Sequence, residues 1–127
     1  MGAIMIVNDP AVLAEITPLF ERYERALMAD DVAAMDLLFH DAQTTIRFGV
    51  GEVLYGAEAI RNYRKGRGGS PQRSADRTTV TTYGRDTATT HVEFSREGSD
   101  RRGRQSQTWI RFPEGWKVVA AHVSMES

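Results

Sequence analysis

The sequence predicts an α+β fold, with helices first and a strongly curved antiparallel sheet after them. Two observations predict it. Residues 10–67 carry their apolar side chains mostly at helical spacing, whereas residues 76–124 read as four long strands. Short turns join those strands, so neighbours pair antiparallel, and helices gathered on one side of such a sheet make a layered α+β domain. A sheet that curls around its helices leaves a central pocket. The polar side chains that point into it then decide the function.

Asn8-Asp9-Pro10 starts the first helix: a side-chain acceptor precedes a proline whose missing N–H costs nothing in the first turn. Leu13, Ile16, Phe20, Tyr23 and Leu27 then form one apolar face. Pro18 is expected to bend this helix or mark its true start. Asp30-Asp31 ends it and caps a short second helix that buries Val32, Met35, Leu38 and Phe39. Gln43–Phe48 is a strand by propensity, Gly49–Gly51 a turn, and Glu52–Tyr55 an extended return. A third helix follows Gly56, with Ala57, Ile60 and Tyr63-Arg64 on its inward stripe and Gly66 near its end. Lys65–Ala75 has the composition of a mobile loop.

The four strands are expected at Arg77–Tyr83, Thr87–Arg96, Arg102–Phe112 and Trp116–Ser124. Alternation places Gln105, Gln107, Trp109 and Arg111 on one face, against Ser106, Thr108, Ile110 and Phe112. On the last strand it sets Val119, Ala121 and Val123 against Val118, Ala120, His122 and Ser124. Neither face is purely polar. A semi-apolar outer face points to a homodimer built through it, since an antiparallel sheet covered on one side ordinarily shows water a polar face.

Composition narrows the classes. The 127 residues are expected to form one domain with 41% hydrophobic and 26% charged residues, ordinary for a globular protein. A net charge of −1 argues against nucleic acid or membrane as the main partner, since both favour a basic excess. With no cysteine, disulfides, thiolate catalysis and cysteine-held metals are excluded. Three histidines without ligand spacing make a zinc site improbable, and no cofactor is expected. Met1–Val7 lacks the basic start and long apolar core of a signal peptide, so a cytoplasmic location is the expectation.

Several segments together carry a family resemblance. They are Arg22–Met28, Arg47-Phe-Gly-Val-Gly-Glu52, Leu54-Tyr55-Gly56, Val80–Asp86, Gly103–Trp109 and Phe112–Ser124. With the order of helices and strands, the chain resembles the NTF2-like (SnoaL, ketosteroid isomerase) cone, also called cystatin-like. Within it the chain resembles the AtzH-like group, which includes the oxalurate-catabolism protein HpxZ. The resemblance runs from Pro10 to Ser124. It implies an enzyme acting on a small carboxylated urea, by decarboxylation or hydrolysis, with a tyrosine and an arginine in the pocket. The matching positions are Tyr23 and Arg47. A non-catalytic module that binds a small acid for a partner amidase is the alternative.

The residues give those two positions a chemistry. A buried phenol needs a hydrogen-bond partner and can donate to a developing oxyanion, as the matching tyrosine does in ketosteroid isomerases. A guanidinium offers a carboxylate two parallel N–H bonds. Phe48, Tyr55, His91, Gln107 and Trp109 are expected to complete the substrate-binding wall, His91 by analogy with related cones. Gln105 sits too near its strand's start to count, and His122 is expected on the outer side. Arg61, Arg64, Lys65, Arg67 and Arg73 read as a solvated helix end followed by a loop.

Overall fold

Residues 4–127 are described by a computed structural model. Met1–Ala3, part of the segment weighed as a leader, lie outside the described residues. Helix α1 (Pro10–Met28) is capped by Asp9, whose carboxylate accepts from the Ala11 N–H at 2.9 Å. It buries Val12, Ile16, Phe20, Tyr23, Ala26 and Leu27, and Pro18 lies inside one continuous helix rather than at its start. Asp31 caps α2 (Val32–Leu38) by accepting from Ala34 N–H at 3.1 Å. Helix α3 (Ala57–Arg67) stops at Gly68, whose positive φ of 74° suits a residue without Cβ. Its buried face carries Ala57, Ile60 and Arg64.

Strands β1 (Ile46–Phe48), β2 (Val53–Tyr55), β3 (Arg73–Tyr83), β4 (Thr87–Arg96), β5 (Arg102–Phe112) and β6 (Gly115–Met125) form one curved, open sheet in the order β2-β1-β6-β5-β4-β3. The four long strands pair antiparallel as expected, but β1 runs parallel to β6, with Arg47 opposite Ala121. The sheet is therefore mixed at that edge. The first hairpin is also shorter than propensity predicts, because residues 43–45 and Glu52 stay outside the ladder.

Two bulges decide which side chains face the helices. An extra residue at Asp76 shifts the β3–β4 register between Ala75 and Arg77. Thr78, Val80 and Thr82 share one face beyond it; before it, Arg73 joins that same inner face opposite Arg96. The second shift, between Thr108 and Trp109, leaves Val119 as the extra residue on β6. Val118, Ala121 and Val123 all end up buried together. This corrects the strict alternation expected for β6, which put Val118 on the outer face. The outer face is accordingly more polar than the sequence reading held: His91, Ser106 and His122 lie exposed side by side across β4, β5 and β6.

The core lies between the inner sheet face and the helices, around Ile16, Phe20, Met35, Val92, Phe94, Trp109 and Val118. Gly103 permits one close contact in it: a Cβ there would sit 2.2 Å from the Phe94 ring. Ile6–Asn8 pairs with the end of β3, through Asn8 N–H to Thr82 C=O and Gly84 N–H to Ile6 C=O, both 2.9 Å. Among the described residues no helix is long and apolar enough to cross a membrane.

Candidate functional site

The site is built where the ends of α1 and α3 meet the inner face of the sheet. Tyr23 and Leu27 come from α1, Arg47 from β1, Arg64 and Arg67 from α3, and Ser70 and Pro71 from the loop after it. Arg73, Arg96, Gln105 and Val123 close the cavity from β3, β4, β5 and β6. Lys65–Ala75 is thus not one loop. Its first residues finish α3, Arg73–Ala75 open β3, and only residues 68–72 connect them.

Five arginines around one cavity need compensation, because burying a cation away from water is costly unless it is paired. Three of them find it. Arg47 Nη1 donates to Glu52 at 2.6 Å, Arg64 Nη1 to Asp36 at 2.8 Å and Arg73 Nη2 to Glu24 at 2.5 Å. Gln105 closes the last pair into a triad, accepting from Arg73 at 3.2 Å and donating to Glu24 at 3.4 Å. The guanidiniums also lie over rings: Arg64 4.2 Å from the Phe39 centroid, Arg73 4.3 Å from Phe94, and Arg47 and Arg67 each 5.4 Å from Tyr63.

Arg67 and Arg96 form no ion pair among the described residues. Their Nε atoms are buried without a hydrogen-bond partner, as are Arg64 Nη2 and Ser70 Oγ. Burial pushes the Arg96 guanidinium below its ordinary pKa, and the charges of Arg73, Arg67 and Arg101 push it the same way. At Glu52 burial acts upward. The Arg47 hydrogen bond, the Gly51 N–H, the Arg47 charge and Tyr63 outweigh it, so this carboxyl lies below its usual value. Glu52 stays ionised and fixes Arg47. The approach is close enough that a Cβ on Gly49 would fall 1.8 Å from the Glu52 carboxylate.

Tyr23 is 4% exposed, its ring 5.9 Å from that of Phe39, and it lines the same cavity as Arg47. The other expected wall residues lie elsewhere. His91 is exposed on the outer face, because its parity on β4 is opposite to that of Thr90, Val92 and Phe94. Phe48 packs edge-on against Tyr55 and His122, 6.1 and 5.8 Å between centroids, also outside the cavity, and Tyr55 is 60% exposed. Trp109 and Gln107 face inward but belong to the core. Trp109 Nε1 donates to Thr90 Oγ1 at 3.1 Å, and Thr90 donates to Gln107 at 3.1 Å.

The residues missed by sequence are Arg64, Arg67, Arg73, Arg96 and Gln105, four of the five arginines of the site. Signals existed for three. Arg64 continues the buried stripe of Ala57 and Ile60, Arg96 shares parity with Phe94, and Gln105 shares parity with Trp109. Arg73 faces inward only because of the bulge at Asp76, which the sequence does not announce.

The cavity is tight, about 30 Å³, room for about two waters. Arg67 and Arg96 border it as partly buried side chains. Among the described residues no cluster of three or more His, Asp or Glu could hold a metal ion.

The AtzH-like family profile matches residues 5–127. The chain belongs to the AtzH-like family. Two solved structures agree with that placement. A DUF3225-family protein of unknown function from Pectobacterium atrosepticum is 50% identical, with 95% of each chain covered and a TM-score of 0.92. A cystatin-like fold protein from Burkholderia xenovorans is 45% identical, with 98% of each chain covered and a TM-score of 0.93. A more distant NTF2-like protein from Pseudomonas putida, 19% identical over 91% of this chain and 87% of its own, shares the fold at a TM-score of 0.76. No curated protein matches. The AtzH-like chain thus has an NTF2-like, cystatin-like α+β fold.

Proposed function

We propose that this AtzH-like protein is a cofactor-independent enzyme of ureide, oxalurate or related nitrogen catabolism that decarboxylates a small carboxylated urea. The observation that carries the proposal is the cavity itself: Tyr23 and five arginines around one small space, with cationic donors left unpartnered. Such a space favours a compact anion.

The chemistry follows from where charge moves. In an N-carboxylated urea the C–N bond to the carboxylate breaks, CO₂ leaves, and the electron pair stays on nitrogen, delocalised onto the urea oxygen. A proton, ultimately from water, then restores the N–H. Tyr23 donates to the urea oxygen as its charge grows, which lowers the barrier more than it stabilises the substrate. Arg47 orients the reacting carboxylate. Its charge is already shared with Glu52, and that pair uses Nη1 alone. Leu27 and Val123 supply the dry part of the wall. Hydrolysis of the same substrate would need an activated water, and the site offers no general base beside Tyr23: each nearby carboxylate is already bonded to an arginine.

Purified protein incubated with N-carboxylated ureas should release CO₂ faster than buffer, and Tyr23→Phe should abolish most of the gain. No acceleration across the series would refute the enzymatic reading. If a ligand at a hundred times its dissociation constant stabilised the fold by about 2.7 kcal/mol without turnover, the protein would be the accessory binding module instead. A homodimer through the outer sheet face belongs to the same proposal. Tyr55 and Val53, 60% and 63% exposed, support it as apolar surface at one edge of that sheet. A sedimentation mass of one chain at micromolar protein would contradict it.

A further inference from the structure

We propose that Tyr63 is a positioning residue of the site: from behind the cavity wall its ring fixes the Arg47 guanidinium, so that Arg47 meets a bound anion in one orientation. The inference rests on the reading of Arg47 as the anchor of a small acid, and adds the side chain that holds that anchor.

Arg47 stands on weak scaffolding. Its strand β1 is three residues long, and the neighbouring β2, also three residues, is the edge of the sheet. A long side chain on so short a hairpin has rotamer freedom to lose, and an anchor that each ligand must freeze binds more weakly. Glu52 restrains one edge of the guanidinium, accepting from Nη1 alone at 2.6 Å. A single hydrogen bond leaves rotation about that contact open. The Tyr63 ring closes it: the centre of the Arg47 guanidinium lies over that ring, 5.4 Å from its centroid. A cation over an aromatic face within about 6 Å is attracted to it.

Tyr63 is itself well held for this task. It lies half-buried on α3 beside Arg64, which Asp36 fixes, and Arg67, one helical turn on, lies over the same ring at 5.4 Å. The ring therefore links the end of α3 to β1. It stands outside the wall of the cavity, so it acts through Arg47 rather than on the ligand. Its hydroxyl reaches the other restraint. At Glu52, where burial acts upward, the Arg47 and Gly51 hydrogen bonds, the Arg47 charge and the Tyr63 hydroxyl together hold the carboxyl below its ordinary value. One side chain thus contributes to both restraints on the anchor.

The test reads Arg47 directly. In the ligand-free full chain, nitrogen-15 NMR of the arginine side chains should show restricted rotation of the Arg47 guanidinium, its signals identified by their loss in Arg47→Gln. Tyr63→Leu should speed that rotation severalfold, Tyr63→Met, a second variant without the ring, should do the same, and Tyr63→Phe, which keeps the ring, should change it much less. With an N-carboxylated urea as substrate, Tyr63→Leu should raise KM about threefold to tenfold, the scale of one cation–π contact, with a smaller fall in kcat. In an Arg47→Gln background the same change should add nothing further. Near-UV circular dichroism confirms that each variant is folded. Free rotation of Arg47 in the wild type, or rotation unchanged in the folded ring-free variants, would overturn the proposal. So would an unchanged KM, or a loss that adds in full to that of Arg47→Gln, as a tyrosine that only packs α3 against β1 would give. Restricted rotation, loosened by Tyr63→Leu, without CO₂ release would refute the enzymatic reading and leave Tyr63 in its role. CO₂ release with Arg47 rotating freely would do the reverse.

Discussion

Two polar groupings on the inner face of one sheet solve burial in opposite ways. In the middle of the sheet Trp109, Thr90 and Gln107 hand a hydrogen bond from one neutral side chain to the next, and only the Gln107 amide ends without a partner. At one end, five arginines face three acidic partners and leave three guanidinium N–H groups and a hydroxyl unmet. The first arrangement leaves one buried donor unmet and the second leaves four, three of them on cations. The difference is one of number and charge, and an indole and an amide looked as much like a binding wall in sequence as any arginine.

The comparison makes unequal demands on substitution. Trp109→Ala should cost about 3–5 kcal/mol of stability in denaturant unfolding, because it empties a fully buried site. Its effect on ligand affinity in the residual folded protein should be small; a selective loss of binding would return Trp109 to the site. Tyr23→Phe should do the opposite. It should lower turnover by about 10²–10³-fold, the scale of one oxyanion donor, while the unfolding midpoint scarcely moves.

Gly103→Ala tests the floor that both regions share. Its methyl would collide with the Phe94 ring, over which Arg73 and Arg96 lie at 4.3 and 5.7 Å. A loss of about 1–3 kcal/mol is expected, together with weaker anion binding as Arg73 and Arg96 move.

The strand boundaries were legible because turns and alternation are local properties. Thr87–Arg96 and Arg102–Phe112 fall where the pattern places them. The site was legible only in part. Tyr23 stands on an apolar helical stripe, and both it and Arg47 line the cavity, but Arg67 and Arg73 look solvated in sequence, among glycines and a proline. Pairing of β3 with β4 brings Arg73 opposite Arg96, residues 23 apart in sequence, and a one-residue bulge sets its face. Neither event leaves a local trace. The same blindness misread β6, where the extra Val119 turns Val118 inward.

Smaller effects sharpen the electrostatic side. Glu52 has a folded pKa below its ordinary value, so the stabilisation from its pairing with Arg47 is fully present above about pH 4.3. It is lost as pH falls through the lower folded value. Its size should be about 1 kcal/mol or less, and Glu52→Gln should remove that part of the acid dependence in urea titrations from pH 3 to 7. Smallest of all, Arg96→Met should raise the thermal midpoint of the ligand-free protein slightly, by removing a cation set against Arg73 and Arg67. A lowered midpoint would show that Arg96 is there for stability.

The most direct test is a crystal structure of the protein soaked with malonate. The account predicts a carboxylate within hydrogen-bond distance of Arg47 and near the Tyr23 hydroxyl. Malonate bound away from Arg47 would contradict it.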